Sequence, residues 1–485
     1  MHGCVSNEPS YFWALPAFVL RWVDILLSMQ AFSPLGKTMS PPTASESASG
    51  EISLRHALAG GLILTGLLTQ ILTFTGLVTL NHLVSYCLWL ATALLWRDIP
   101  RRTRRQAGLL AVIGLTLLAL AELWQGAEVD WPGILDGNTF VVAMLVGVSF
   151  IGLIGNLRGR SRPPGKALTG ARGVLGTWLG VHLLGSILNL STVFMVGDRL
   201  ERRGPLTTPQ LLGLNRGLSS AALWSPFFAS MGVVMTLAPE MHYATILAFG
   251  LPLAMAAGIL TVGELSHRFE LADTAGFSLS PRSLLMPVSM AAMVMVFHYG
   301  LTPELSIVSI ITFLMPGMAL LANLPRGLHW TRQRVHRHAI TRLPAMRGEI
   351  SLFLCAGLLT VGLSTFIDAA TDSDWTLFTD FGPAQAMASF LAIVASAVAG
   401  LHPIIGVSVL ASMLDLDAQD QTLFAFVALA SWAVGTSVGP LSGINLSLQG
   451  RYGVSATGMM RQNLGYAATM TGLVLVAILL MERLL

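Results

Sequence analysis

From Ala57 onward, apolar runs alternate with short polar breaks, and the runs are long enough to cross about 30 Å of hydrocarbon at roughly 20 residues each. We read crossings at 57–74, 79–96, 107–123, 138–156, 208–238, 242–264, 283–299, 303–322, 348–368, 420–448 and 462–482. In lipid every backbone N–H and C=O must find a partner within the protein, which a helix supplies locally. The pattern therefore predicts an all-α polytopic membrane protein of about eleven transmembrane helices.

Two further apolar stretches, 172–203 and 383–414, fit neither one crossing nor two. Each has a polar or glycine-proline break in its middle, Asn189-Leu190-Ser191-Thr192 in the first and Gly400-Leu401-His402-Pro403 in the second. The returning arms are only about 12 residues long, the length of a re-entrant segment. Each stretch is expected to be a helical hairpin that turns inside the membrane.

Loop charge orients this chain, because Lys and Arg in short loops collect on the cytoplasmic side. Arg97, Arg101, Arg102, Arg104 and Arg105 follow the second crossing, and Arg158, Arg160, Arg162, Lys166 and Arg172 follow the fourth, so both loops are read as cytoplasmic. Glu128, Asp130 and Asp136, flanked by Trp124 and Trp131, mark an external loop. Arg199, Arg202 and Arg203 return the first hairpin to the cytoplasmic face, whereas Asp415, Asp417 and Asp420 return the second to the outside. The N-terminus is accordingly placed in the cytoplasm and the C-terminus outside an inner (cytoplasmic) membrane.

The order span, hairpin, broken span, span thus occurs twice in opposite orientation. From Ser191 to Ser225 is 34 residues, as is the separation of His402 and Thr436. The helix after each hairpin is interrupted, by Trp224-Ser225-Pro226-Phe227 in one half and Gly435-Thr436-Ser437-Val438-Gly439-Pro440 in the other. Proline removes a donor and glycine permits unwound geometry, so backbone groups are freed at membrane depth. Such paired interruptions point to a transporter's binding site. The expected organisation is a leader with an interfacial helix over 1–55, a first half over 56–322 with hairpin 172–203 and broken helix 208–238, a basic cytoplasmic loop over 323–347, and a second half over 348–485 with hairpin 383–414 and broken helix 420–448.

Composition narrows the partners. Hydrophobic residues make up 53% of the 485 and charged residues 11%, so lipid is the solvent. A net charge of +3 with Arg confined to short loops speaks for topology and against a nucleic-acid partner. Cys4, Cys87 and Cys355 lack metal-ligand spacing, and neither a metal site beyond sodium nor a disulfide framework is expected. Clustered acids or a large extramembrane loop, which a membrane-embedded enzyme would want, are missing, and the chain is read as a non-enzyme. Gly435-Thr436-Ser437-Val438-Gly439 matches a nucleophile-elbow pattern but lies in a membrane helix rather than at a strand-helix turn.

The segments GSILNLSTVFMVGDRL with NRGLSSAALWSPFFASMGVV, and GLHPIIGVSVLASML with SWAVGTSVGPLSGINL, resemble the ion transporter superfamily, and within it the divalent-anion/sodium symporter type of elevator transporter. The resemblance covers most of 57–485 and lies in architecture more than in signature. It implies a homodimer in which both hairpins slide against a dimerising scaffold. It also implies a solute and ion site built from Asn189, Ser191, Thr192, Ser225 and Pro226 on one side and His402, Pro403, Thr436, Ser437, Gly439, Ser442 and Asn445 on the other. Hydroxyls, amides and freed carbonyls suit a hard cation such as sodium, and helix N-termini suit a carboxylate.

His402 is weighed both as a solute or proton carrier and as a residue that fixes its turn. Arg216 is a candidate anion contact, set against an Arg snorkelling to the interface. His182 is expected to be a satisfied packing residue. The leading expectation is secondary active transport of a small organic anion, coupled to sodium or protons, with no other cofactor. The alternative is an exporter or cation/proton antiporter on the same scaffold.

Overall fold

The computed structural model describes residues 54–74, 80–154, 168–279, 281–371 and 375–483. Residues 1–53 of the expected leader lie outside these, as do Arg158, Arg160, Arg162 and Lys166. Every regular element among the described residues is helical. In chain order the main helices are α1 (Leu54–Phe74), α2 (Asn81–Leu95), α3 (Arg101–Gln125), α4 (Thr139–Ser149), α5 (Gly170–Leu188) and α6 (Leu190–Glu201). They continue as α7 (Thr208–Ala221), α8 (Ala229–Leu237), α9 (Tyr243–Arg268), α10 (Pro281–Val296), α11 (Ile307–Asn323) and α12 (Leu328–Arg337). The last six are α13 (Arg347–Thr371), α14 (Pro383–Val398), α15 (Pro403–Ala411), α16 (Ala418–Val438), α17 (Gly443–Tyr452) and α18 (Ala456–Glu482).

Eight segments of the described chain are long and apolar enough to cross a bilayer, and the molecule is a polytopic helical membrane protein. The difference from eleven has local causes. The crossing expected at 79–96 is a helix of 15 residues, about 22 Å at 1.5 Å per residue. Those at 138–156 and 283–299 are also short apolar helices, and 208–238 divides into α7 and α8. Conversely, the first arm of the first hairpin, Gly170–Leu188, is itself of spanning length.

Two groups of helices make up the body. In the outer group α3 lies along α13, α1 along α2 and α11 along α4. Glycine permits the closest of these crossings: a Cβ on Gly114 would sit 2.7 Å from the carbonyl oxygen of Leu358, and Gly362 meets the backbone of Gly114 in return. Small residues let helix backbones approach where no hydrophobic effect drives them together. α3 stops at Gly126, whose left-handed φ of 67° lets its N–H cap the carbonyls of Ala121 and Glu122.

The inner group is α5–α9 and α14–α18, and its packing repeats. Helix α5 packs on α6, α7 and α9, and α14 packs on α15, α16 and α18. α6 and α9 both pack on α7, as α15 and α18 both pack on α16. Across the halves α8 and α9 lie on α16, while α17 and α18 lie on α7. The two self-matched contacts, α7 with α16 and α9 with α18, complete the scheme. Advancing every label by nine therefore maps these contacts onto one another, with the further packing of α17 on α16 and α18 confined to the second half. The shared scheme is the packing expected of two copies related by a pseudo-two-fold axis. At its centre runs the segment 420–452, whose most apolar window is 100% buried, against 28% for α3 at the periphery. A helix apolar all round belongs in a core.

The basic segment 323–347 is folded: α12 is followed by a π-helical turn over His338–Arg342 that packs on α1. His338 and Ala339 are buried there, and the Ala339 carbonyl lies against Gly60.

Candidate solute site

The first hairpin turns at Asn189, a non-glycine residue with φ 51° and ψ −140°. Such a conformation costs roughly 1–3 kcal/mol and needs support from its surroundings. The support is a side-chain hydrogen bond, in which Asn189 Nδ2 donates to the carbonyl of Phe227 at 3.1 Å. Hairpin one is thus tied to the first interruption, which runs between α7 and α8. Ser225 locks the same junction, donating through Oγ to the Ser186 carbonyl and accepting from the Phe227 N–H at 3.2 Å. Pro226, buried beside it, has no N–H to satisfy. Thr192 Oγ1 is buried without a hydrogen-bond partner, whereas Ser191 is exposed and receives the Arg342 guanidinium at 3.5 Å.

The second hairpin turns at Gly400, whose φ of 106° favours glycine. His402 caps α15: its Nδ1 accepts from the Ile404 N–H at 3.2 Å, with Pro403 in the first turn. The ring stands edge-on to Trp432 at 5.3 Å. Gly435 leaves room for this packing, since a Cβ there would meet Pro403 Cγ at 2.8 Å. Gln106 of α3 donates to the Gly400 carbonyl at 2.8 Å. Thr436 and Ser437 return their hydroxyls to their own helix, at Trp432 O (2.8 Å) and Val434 O (2.7 Å). Beyond the interruption, Ser442 caps α17 by accepting from the Asn445 N–H at 3.3 Å. Asn445 Nδ2 donates to the carbonyls of Ser437 (3.3 Å) and Gly439 (2.9 Å), two groups freed by the broken helix.

Each predicted half-site is therefore assembled around its own interruption, and Asn445, like Arg216, joins the halves. Its Oδ1 accepts from Asn215 Nδ2 at 2.9 Å. Asn463 Nδ2 donates to Asn215 Oδ1 (3.3 Å) and to Ser437 O (2.9 Å). Arg216 is fully buried, not snorkelling. Its Nε donates to Asn463 Oδ1 (2.8 Å), one terminal nitrogen to Glu264 (2.9 Å) and the other to the Gln462 carbonyl (3.4 Å). The guanidinium also lies 4.3 Å over the Tyr466 ring. Each of its three nitrogens is thus engaged within the chain. Low dielectric strengthens such a network when every member is paired.

Asn215, Asn463 and Glu264 were not anticipated as members. The signal was present as Asn215-Arg216 within the apolar run LLGLNRGLSSA, and as Asn463 inside the last span. What the sequence lacked was the pairing of positions about 250 residues apart. His182 is satisfied as expected: Trp224 Nε1 donates to its Nε2 at 3.1 Å, leaving Nδ1 to donate to Ser220 Oγ at 2.9 Å, and it stacks on Trp178. Asp198, at the exit of hairpin one, holds Arg451 (3.0 Å) and Tyr452 (3.0 Å) at the end of α17.

A cavity of about 710 Å³ lies between α9 and α18, lined by Glu264, Arg268, Arg461 and Tyr466 among others. It borders the buried network rather than the hairpin tips. Among the described residues no group of His, Cys, Asp and Glu is arranged to hold a metal ion.

No protein-family model matches the chain, and no curated protein matches its sequence. Among solved structures it is similar to the YdaH transporter of Alcanivorax borkumensis, with 14% identity and a TM-score of 0.36 over 96% of this chain and 97% of that one. At that level of likeness, function has to be argued from the chain's own geometry.

Proposed function

We propose that the protein is a secondary active transporter that moves a small organic anion, carboxylate-like, across the inner membrane, coupled to sodium or protons. The observation that carries this reading is the doubled inner group, in which two helical hairpins each meet a broken helix and the packing scheme exchanges its halves. Duplicated hairpins and discontinuous helices concentrate freed backbone groups at one depth, and alternating access follows when one group of helices moves against another. In this reading the hairpins are re-entrant, the inner group travels as an elevator past the outer group, and two copies form a homodimer through outer helices. Asn189, Ser191, Thr192 and Ser225 supply one half of the site, and His402, Thr436, Ser437, Ser442 and Asn445 the other. Thr192, with its buried unpaired hydroxyl, is the clearest candidate for an ion ligand. The N-terminus lies in the cytoplasm and the C-terminus outside.

The alternative, an exporter or cation/proton antiporter on the same scaffold, gains from one observation. Glu264 brings a carboxylate to the buried network, where proton exchange would need one. The deciding experiment is the melting temperature of purified protein against a panel of carboxylates, with and without sodium. A ligand at about 100 times its Kd stabilises by about 2.7 kcal/mol. Stabilisation by one carboxylate only in sodium supports sodium symport. Sodium-independent stabilisation that strengthens in acid supports proton coupling. No shift with any anion removes the anion-transport reading.

A further inference from the structure

The cavity between α9 and α18 is charged at one end and apolar along its length. Arg268 and Arg461 stand at the charged end, with Arg216 buried behind them, and the carboxylate present is Glu264. Glu264 is shared by Arg216 and Arg268, so this carboxylate is already outnumbered by its two partners. Arg461 is exposed and adds a further cation to the same wall. Three guanidinium groups against one carboxylate leave the site with two uncompensated positive charges.

The rest of the wall is Ile259, Leu260, Tyr466, Thr469 and the faces of two glycines, Gly263 on α9 and Gly465 on α18. A Cβ built on either glycine meets nothing within 4 Å, so these positions open the trough rather than permit helix packing. Outside the trough both helices present apolar side chains: Met255 on α9 is 61% exposed, and Leu464, Val476 and Leu479 on α18 are 44% to 53% exposed. In a membrane protein such a face meets acyl chains. Thr469, which also lines the cavity, keeps its hydroxyl on the Gly465 carbonyl at 3.1 Å and so leaves its methyl to the trough.

We infer that this trough is a binding site for an acidic phospholipid, with the headgroup phosphate between Arg268 and Arg461 and one acyl chain along Gly263 and Gly465. Basic pockets between membrane helices are suited to anionic headgroups, and an exposed arginine near the surface contributes about 1 kcal/mol to such binding. Through Glu264 and Gln462 the lipid phosphate sits one residue away from Arg216, and so from the network that joins the two halves.

The test is the melting temperature of the full chain in non-ionic detergent, titrated with phosphatidylglycerol, phosphatidylcholine or soluble glycerol phosphate. Phosphatidylglycerol alone is expected to raise it. Arg461→Ala is expected to weaken the apparent affinity about fivefold. Gly465→Trp is expected to abolish the response, because its ring would occupy the trough into which a Cβ at this position opens. Equal shifts with both lipids, a full response to glycerol phosphate alone, or an unchanged affinity in Arg461→Ala would each overturn the assignment. Should Gly465→Trp fail to fold, Arg461→Glu replaces it, with loss of the phosphatidylglycerol response as the expected result and its retention as the refutation.

Discussion

The side-chain amide of Asn215 donates to the side-chain oxygen of Asn445 at 2.9 Å, linking α7 of one half to α17 of the other. Both residues are fully buried, so neither can exchange its partner for water. Removing either leaves a desolvated polar group, at a cost of about 1–3 kcal/mol. Asn215→Ala and Asn445→Ala should each lower the melting temperature, and the double variant should lose less than the two single losses combined. Additive losses in that cycle would mean that the bond contributes nothing of its own.

Arg216 carries a larger penalty. It is buried, it bonds Asn463, Glu264 and Gln462, and its truncation leaves the buried Asn463 Oδ1 without its donor and Glu264 with Arg268 as its remaining ion-pair partner. Breaking one side of a buried ion pair costs about 3–5 kcal/mol. Arg216→Ala should therefore give little folded protein by size-exclusion chromatography. Arg216→Lys should recover only part of it, since an ammonium cannot serve three separated acceptors as the planar fork does.

Gly114 tests the outer group. Gly114→Val forces a side chain into the Leu358 backbone, where the glycine lets α3 and α13 touch. Overpacking of this kind costs about 1–3 kcal/mol, more where the obstacle is backbone. Gly152→Ala is the control, as a Cβ there meets nothing within 4 Å. Thermal melts of the two variants should separate clearly.

His338 predicts an acid-sensitive step outside the membrane spans. Its Nε2 pairs with Ser149 Oγ at 2.9 Å and its ring packs on Phe150. Burial, reinforced by the nearby Arg342 charge, pushes the imidazole down to about 4. The unfolded imidazole titrates near 6.5. Between those values the unfolded chain binds a proton that the folded chain refuses, so stability falls as pH drops from about 6.5 to about 4, by an amount on the order of 3 kcal/mol. His338→Gln should flatten that part of the melting-temperature profile relative to the parent.

His402 can be divided into two roles by substitution. Because its Nδ1 caps α15, His402→Asn should retain stability, and His402→Ala should lose about 1 kcal/mol. If transport or ligand-induced stabilisation survives in His402→Asn, the ring is a cap. If it is lost while the melting temperature holds, the imidazole belongs to the solute site.

Much of the architecture was legible because it is written locally. Asn189 and Gly400 sit where a turn must interrupt an apolar run, and both adopt positive φ. The duplication was visible as equal 34-residue spacings, and the packing of the inner group has the same two-part form. The missing part is contact over long sequence separation. Thr436 and Ser437 read as ligands from their place in a glycine-rich break; their hydroxyls donate to carbonyls of their own helix, so a ligand would meet their oxygen lone pairs. Arg216 read as a candidate anion contact set against an Arg snorkelling to the interface, and the three partners from α9 and α18 that hold it inside were not legible. Helix lengths were overestimated where hydropathy continues into 3₁₀ or π turns, as at Phe150–Leu153 and Phe297–Leu301.

The links from the outer group to the hairpin tips have a mechanical implication. Gln106 reaches the Gly400 carbonyl and Arg342 reaches the Ser191 hydroxyl, each through a long side chain that ends on a turn. Neither bond belongs to a helical ladder, so releasing both would leave every helix intact. In the elevator motion proposed above, hydrogen bonds placed there would behave as latches, setting the position at which the inner group comes to rest.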